Sequence, residues 1–171
     1  MTFTDYKYRS LKKEELQEIR IQDQAGIEFI FWYYDMGDRL SEQKILKGME
    51  VVLDKLYNGL EFPIADYSGS REVATLLGFT LGEMLRNSFN WEWYYFEEFE
   101  DGVWGYTIVS PLKDFEICIE NLFFQHVFYK KEILFKELSL LLVNGKYPKL
   151  KAKFEAYEPW NSDYTPIFNT K

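Results

Sequence analysis

Carboxylates are the most numerous groups in this sequence that could do chemistry: 28 Asp and Glu stand against 20 Lys and Arg and a single His. Glu97, Glu98, Glu100 and Asp101 follow one another closely. Two carboxylates in an apolar setting can separate their pKa values and serve as acid and base, although a solvated acidic turn is the commoner meaning of such a run. Glu83 stands apart, directly after Gly82 in an apolar stretch. There it either turns inward or lies at the surface, where Glu is usually found. His126 and Cys118 are the only residues of their kind. A zinc site would need carboxylates for most of its ligands, whereas structural zinc favours several Cys and His. Cys118 as a nucleophile with His126 as its base is outweighed by a simpler role, a small buried hydrophobe in an alternating apolar segment. The chain holds no phosphate-binding GxxxxGK[ST], no GxGxxG, and no HExxH, CxxC, EF-hand loop or GxSxG elbow. No cofactor, metal or catalytic residue is expected. Residues 120–125 resemble a viral protease recognition sequence, which we read as coincidence in the middle of an apolar stretch.

Aromatic residues are the second conspicuous group: 15 Phe, 13 Tyr and 5 Trp, or 19% of 171 residues, within an apolar total of 47%. This is too rich for a disordered chain, and 10 Gly with 5 Pro exclude a collagen-like polymer. A chain of this length buries about 70% of its unfolded surface, enough for one sizeable core. The net charge of −8 argues against nucleic acid as a partner. The densest basic stretch, Lys146, Lys149, Lys151 and Lys153, reads as a solvated segment. The longest apolar runs, 29–34, 121–129 and 138–145, fall well short of the ~20 residues of a membrane helix. The first residues lack an apolar signal segment, so a cytoplasmic location is expected.

These side chains must be positioned by a mixture of helices and strands. A first helix is expected over 10 to about 35, with Ser10 as N-cap and Glu14 and Glu15 in its first turn. Leu16, Ile19 and Ile27 begin an apolar stripe that Asp23 interrupts, and the run from Phe29 to Tyr34 predicts burial on several sides. A second helix is expected from Ser41 to Tyr57, ended by Asn58-Gly59. A third, 70–88, carries Val73, Ala74, Leu77, Leu81, Met84 and Leu85 on one face, with Gly78 and Gly82 allowing another backbone to come close. Strands 91–99 and 103–110 alternate and flank Asp101-Gly102, a two-residue hairpin signal. That turn pairs Phe99 with Trp104, Glu97 with Tyr106, Tyr95 with Ile108 and Trp93 with Ser110, and gathers the aromatics on one face. A third strand is expected over 114–120, with a short helix as the alternative, and a last helix over 131–143. The fold class is therefore α+β: N-terminal helices packed on a small antiparallel sheet, with a C-terminal helix. Residues 1–145 form one domain, and 146–171 an extension that either docks or stays exposed.

Leu77-Gly78-Phe79-Thr80-Leu81-Gly82-Glu83, followed by Trp93, Asp101-Gly102 and Ser110-Pro111, resembles an uncharacterised bacterial family of unknown function with an LG-x-x-LGE helix before a Trp-containing hairpin. The resemblance covers about residues 10–125. It implies an α+β fold and no particular reaction. In general character the chain is also similar to small, acidic, aromatic-rich immunity proteins that neutralise a toxin.

The leading expectation is a protein-binding module, an immunity protein, with a basic toxin as partner and aromatic anchors at the interface. The alternatives are a carboxylate enzyme acting on a sugar or nucleotide-like ligand through Glu83, Glu97 or Glu98, and a non-catalytic ligand-binding or scaffolding domain. Monomer and homodimer are both open. The candidate surface comprises Glu83, Tyr94, Phe96, Glu97, Glu98, Glu100, Asp101, Trp160 and Tyr164. The last two, with Tyr157 and Phe168, are aromatics in an otherwise polar tail. Carboxylates converging in an apolar pocket would favour the enzyme, and an open aromatic patch with a charged rim the binder.

Overall fold

Among the described residues, alternation builds a sheet and helical periodicity builds three helices, of which the third packs on the sheet and on the other two. The computed structural model describes residues 6–58, 70–98, 104–111, 115–118 and 157–159. In order these form β1 (Tyr6–Ser10), α1 (Lys13–Phe31), α2 (Glu42–Tyr57), α3 (Ser70–Phe89), β2 (Glu92–Glu98), β3 (Trp104–Val109), β4 (Phe115–Cys118) and β5 (Tyr157–Pro159). The α+β class is as the sequence implies. The sheet is antiparallel throughout, in the order β1-β2-β3-β4-β5.

The first strand was not foreseen. Tyr6-Lys7-Tyr8-Arg9-Ser10 alternates over only five residues, and β2 supplies the hydrogen-bonding edge that makes it a strand. Ser10 therefore pairs with Tyr94 and does not cap α1. The helix starts at Lys13, where the Glu15 carboxylate reaches back to accept from the Lys12 backbone N–H at 2.7 Å. β5, three residues of the tail, pairs antiparallel with β4.

The hairpin register also differs. Glu97 pairs with Trp104, Tyr95 with Tyr106 and Trp93 with Ile108. Each residue of β2 thus meets a partner two positions earlier than an Asp101-Gly102 turn requires. Because side chains alternate with period two, this displacement leaves every side chain on its expected face. The turn itself, the expected helix 131–143, and residues 114 and 119–120 of the expected third strand lie outside the described residues.

Helix α3 is the centre of the core. From Leu76 to Leu85 every residue is buried, as expected of a helix covered on several sides. Phe79 reaches the sheet, its ring 5.9 Å from Trp93 and 6.0 Å from Tyr106. Helix α1 crosses α3 at Gly26, where a Cβ would sit 2.2 Å from Thr80 Oγ1 and 2.9 Å from the Leu76 carbonyl oxygen. The close approach expected at Gly78 and Gly82 is thus made through a glycine of the other helix. After Phe89 the chain turns through Asn90, whose φ of 58° is the left-handed conformation that ends many helices. This brings buried Trp91 and then β2 back beneath α3.

Candidate functional site

Two places combine chemistry with unusual exposure or burial. The first lies between α1, α3 and β2. Glu83 is only 4% exposed. Its Oε1 accepts from Arg86 Nε and Trp93 Nε1, both at 2.8 Å, and its Oε2 accepts from Arg86 Nη2 at 2.8 Å. The i, i+3 spacing puts Arg86 one turn along the same helix face. Trp93 points inward because odd residues of β2 face the helices. Asp23, the interruption in the α1 stripe, faces this cluster. Burial, then the neighbouring Glu83 charge, push the Asp23 carboxyl up to about 6, while Thr80 and Arg86 act in the opposite sense. Glu83 in turn raises the Arg86 guanidinium above its ordinary value. Thr80 donates its hydroxyl toward the backbone carbonyls of Leu76, at 3.1 Å, or Asp23, at 3.3 Å. Chemically, this is a charge-locked joint between α3 and β2. The Glu83 carboxylate already holds three hydrogen bonds.

The second place is the outward side of α1 and the connection to α2. At 100° per residue, Ile21, Glu28 and Trp32 fall on one line of the helix, with Phe31 and Gln24 beside it. Trp32 is 73% exposed, Ile21 57%, Leu40 51% and Phe31 42%. The expected burial of the whole 29–34 run is thus overturned: Phe29 and Ile30 are buried, but Phe31 and Trp32 face out. A helix gives an uninterrupted apolar run two faces, and the core here takes only one. The connection is held in place. Buried Met36 anchors it, Gly37 turns at φ 65° and donates its N–H to Asp35 Oδ1 at 2.8 Å, and Lys44 Nζ donates to the Arg39 carbonyl at 2.8 Å. Ser41 Oγ accepts from the Lys44 N–H at 3.3 Å and caps α2, one residue outside the helix proper. Glu28, Asp35 and Asp38 are exposed in the same segments as the apolar side chains, as are two cations, Arg20 beside Ile21 and Arg39 beside Leu40.

A third exposed aromatic stands on the sheet. Trp104 is 57% exposed and stacks on Tyr95, with ring centroids 6.1 Å apart and planes 24° from parallel. Arg9 lies over the Tyr95 ring at 4.1 Å and grips Glu15 through both terminal nitrogens, at 2.7 and 2.8 Å. That grip holds the Glu15 carboxyl down at about 2.

The residues singled out in sequence scatter. Glu83 and Tyr94 are buried, so neither offers a contact surface in this conformation. Tyr94 packs with Tyr8 and Val109, and its hydroxyl donates to Glu92 Oε2 at 2.9 Å. Phe96 is half-buried beside Tyr8, their centroids 6.3 Å apart. Glu97 is exposed. The side chains of Glu98, Glu100, Asp101, Trp160 and Tyr164 lie outside the described residues. Trp32, Phe31, Ile21 and Leu40 were missed. The signal that could have found them is the helical wheel itself, which places Ile21 and Trp32 opposite Ile19, Gly26 and Ile30.

Among the described residues no group of three or more His, Cys, Asp or Glu is disposed to hold a metal ion, and no helix is long and apolar enough to cross a membrane. No protein-family model matches the chain, and neither the curated proteins nor the solved structures contain a match.

Proposed function

We propose that this protein is a binding module that engages a basic partner protein through the outward side of α1 and the α1–α2 connection. The pairing that fits it best is that of an immunity protein with a basic toxin as its partner. The observation that carries this reading is the exposure of Trp32 and Phe31 at 73% and 42%, on a connection that buried Met36 and its hydrogen bonds hold in shape. Burying a large apolar side chain is worth about 1.5–3 kcal/mol, and a protein without a partner gains nothing from leaving two of them together in water. The carboxylates at the rim and the net charge of −8 favour a basic partner and speed its approach.

The enzymatic alternative has one observation in its favour: Glu83 and Asp23 do converge. Glu83, however, is only 4% exposed and already accepts three hydrogen bonds from Arg86 and Trp93, which leaves at most one of its about four acceptor sites for a substrate. The arrangement supports a structural role more than a reactive one. The deciding experiment is affinity capture from the native host, comparing wild type with Trp32→Ser. The binding reading expects one stoichiometric basic partner, retained by wild type and lost by the variant at unchanged thermal stability.

A further inference from the structure

The stack on the sheet is built like a ladder of alternating charge and ring. Arg9 comes from β1, Tyr95 from β2 and Trp104 from β3, so the two outer groups approach Tyr95 from the strands on either side of it. Arg9 is fixed over one ring at 4.1 Å, with its charge answered by Glu15. Trp104 leans on Tyr95 and remains 57% exposed. Directly across the strand pair from Trp104 is Glu97, also exposed and on the same face. Cross-strand partners have Cβ atoms about 4.5–5.5 Å apart. A cation lying on the open part of the indole therefore comes within reach of the Glu97 carboxylate.

We infer that Trp104 and Glu97 form a subsite for one cationic side chain, an arginine or lysine, of a partner protein. The indole supplies a negative ring face already braced from behind by Tyr95, and the carboxylate supplies the counter-charge. The Arg9–Tyr95–Glu15 group is the same recognition made within the chain: a guanidinium on a ring, paired to a carboxylate. A neutral ligand such as a sugar would use the ring but leave Glu97 without a role. The overall charge of −8 favours the cation. Lys7 stands at the register position opposite Glu97 on β1. The subsite takes its partner class from the binding role proposed above, but it lies on a different element from Trp32 and can be tested without the partner.

The test is an NMR titration of the full chain with a short acetylated Gly-Arg-Gly amide and with the same peptide carrying uncharged citrulline in place of arginine. The arginine peptide is expected to shift the Trp104 indole N–H and the Glu97 backbone amide, and the citrulline peptide to leave both in place. Glu97→Gln and Trp104→Leu are each expected to weaken the association about two- to fivefold, the range of an exposed ion pair or cation–π contact. Equal shifts from both peptides, no shift from either, or a shift from methyl glucoside but not from the arginine peptide would each overturn the subsite. Loss of the peptide shift with partner capture intact would sink the subsite alone. An intact peptide shift with no stoichiometric partner would sink the binding role alone.

Discussion

Asp23→Asn should stabilise this protein at neutral pH and do nothing near pH 4. The reason is the sign of the Asp23 perturbation. Burial and the Glu83 charge raise its carboxyl from 3.8 to about 6 in the folded state. The folded chain therefore holds that proton more tightly than the unfolded chain. The contribution is fully present below the unfolded value of 3.8 and is lost as pH rises through about 6. At about 1.36 kcal/mol per pKa unit, the charged Asp23 costs the folded state about 3 kcal/mol above pH 7 as an upper figure, and about 1–3 kcal/mol once solvent and relaxation are allowed for. Asparagine keeps the size and shape of the side chain and leaves the backbone carbonyl near Thr80 untouched. Urea unfolding followed by tryptophan fluorescence at pH 4, 5, 6 and 7.5 gives the variant-minus-wild-type difference directly, so that all other titrating groups cancel. The difference should be near zero at pH 4 and climb to about 1–3 kcal/mol by pH 7.5. A flat difference, or a variant that loses stability relative to wild type as pH rises, would refute the reasoning.

The other expectations concern the same joint and its surroundings. Glu83→Gln should cost about 1–3 kcal/mol in urea unfolding, because it removes the charge that the half-buried Arg86 guanidinium and the buried Trp93 indole donate to. Trp93→Phe keeps the ring against Phe79 but removes the indole donor, and should cost about 1–3 kcal/mol. Gly26→Ala should destabilise by about 1–3 kcal/mol despite the better helix propensity of alanine, since its Cβ would meet Thr80 Oγ1 at 2.2 Å and the Leu76 carbonyl at 2.9 Å. A variant more stable than wild type would mean that α1 slides freely on α3. Glu15 carries the opposite pH signature to Asp23: its carboxyl is held at about 2, so its contribution is present above about 4.5 and is lost as pH falls toward 2. Glu15→Gln should flatten the acid side of the stability profile, and retention of the full acid slope in a melting series would count against it.

Much of the fold could be read directly from the pattern of residues. Helices α2 and α3 follow from the 3.6-residue spacing of Ile45, Met49, Val52 and Leu53 and of Val73, Leu77, Leu81 and Leu85, and all eight are buried. The hairpin follows from strict alternation, and its faces survive the two-residue error because alternation fixes the face while the turn fixes the partner. What was illegible has a common physical cause: it depends on contacts distant in sequence. β1 is a strand only because β2 pairs with it. Whether Glu83 is inside or outside depends on Arg86 and Trp93 arriving together, although Asp23 breaking an apolar stripe was a visible sign of polar business on that face. The proposed binding surface was hidden by composition. Phe29 to Tyr34 is aromatic or apolar all round, and only the finite width of the core decides that Phe29 and Ile30 go in while Phe31 and Trp32 stay out.

The 73% exposure of Trp32 makes it the residue on which the binding role turns. The most direct measurement is quantitative capture of host proteins by wild type and by Trp32→Ser, matched for thermal stability, at low and high salt. The binding role predicts a basic protein at one-to-one ratio with wild type, weakened by salt and lost at least about tenfold with the variant, the effect of a central tryptophan anchor. Retention of the same partner by Trp32→Ser at equal ratio, or a wild-type chain that holds no partner at all, would contradict it.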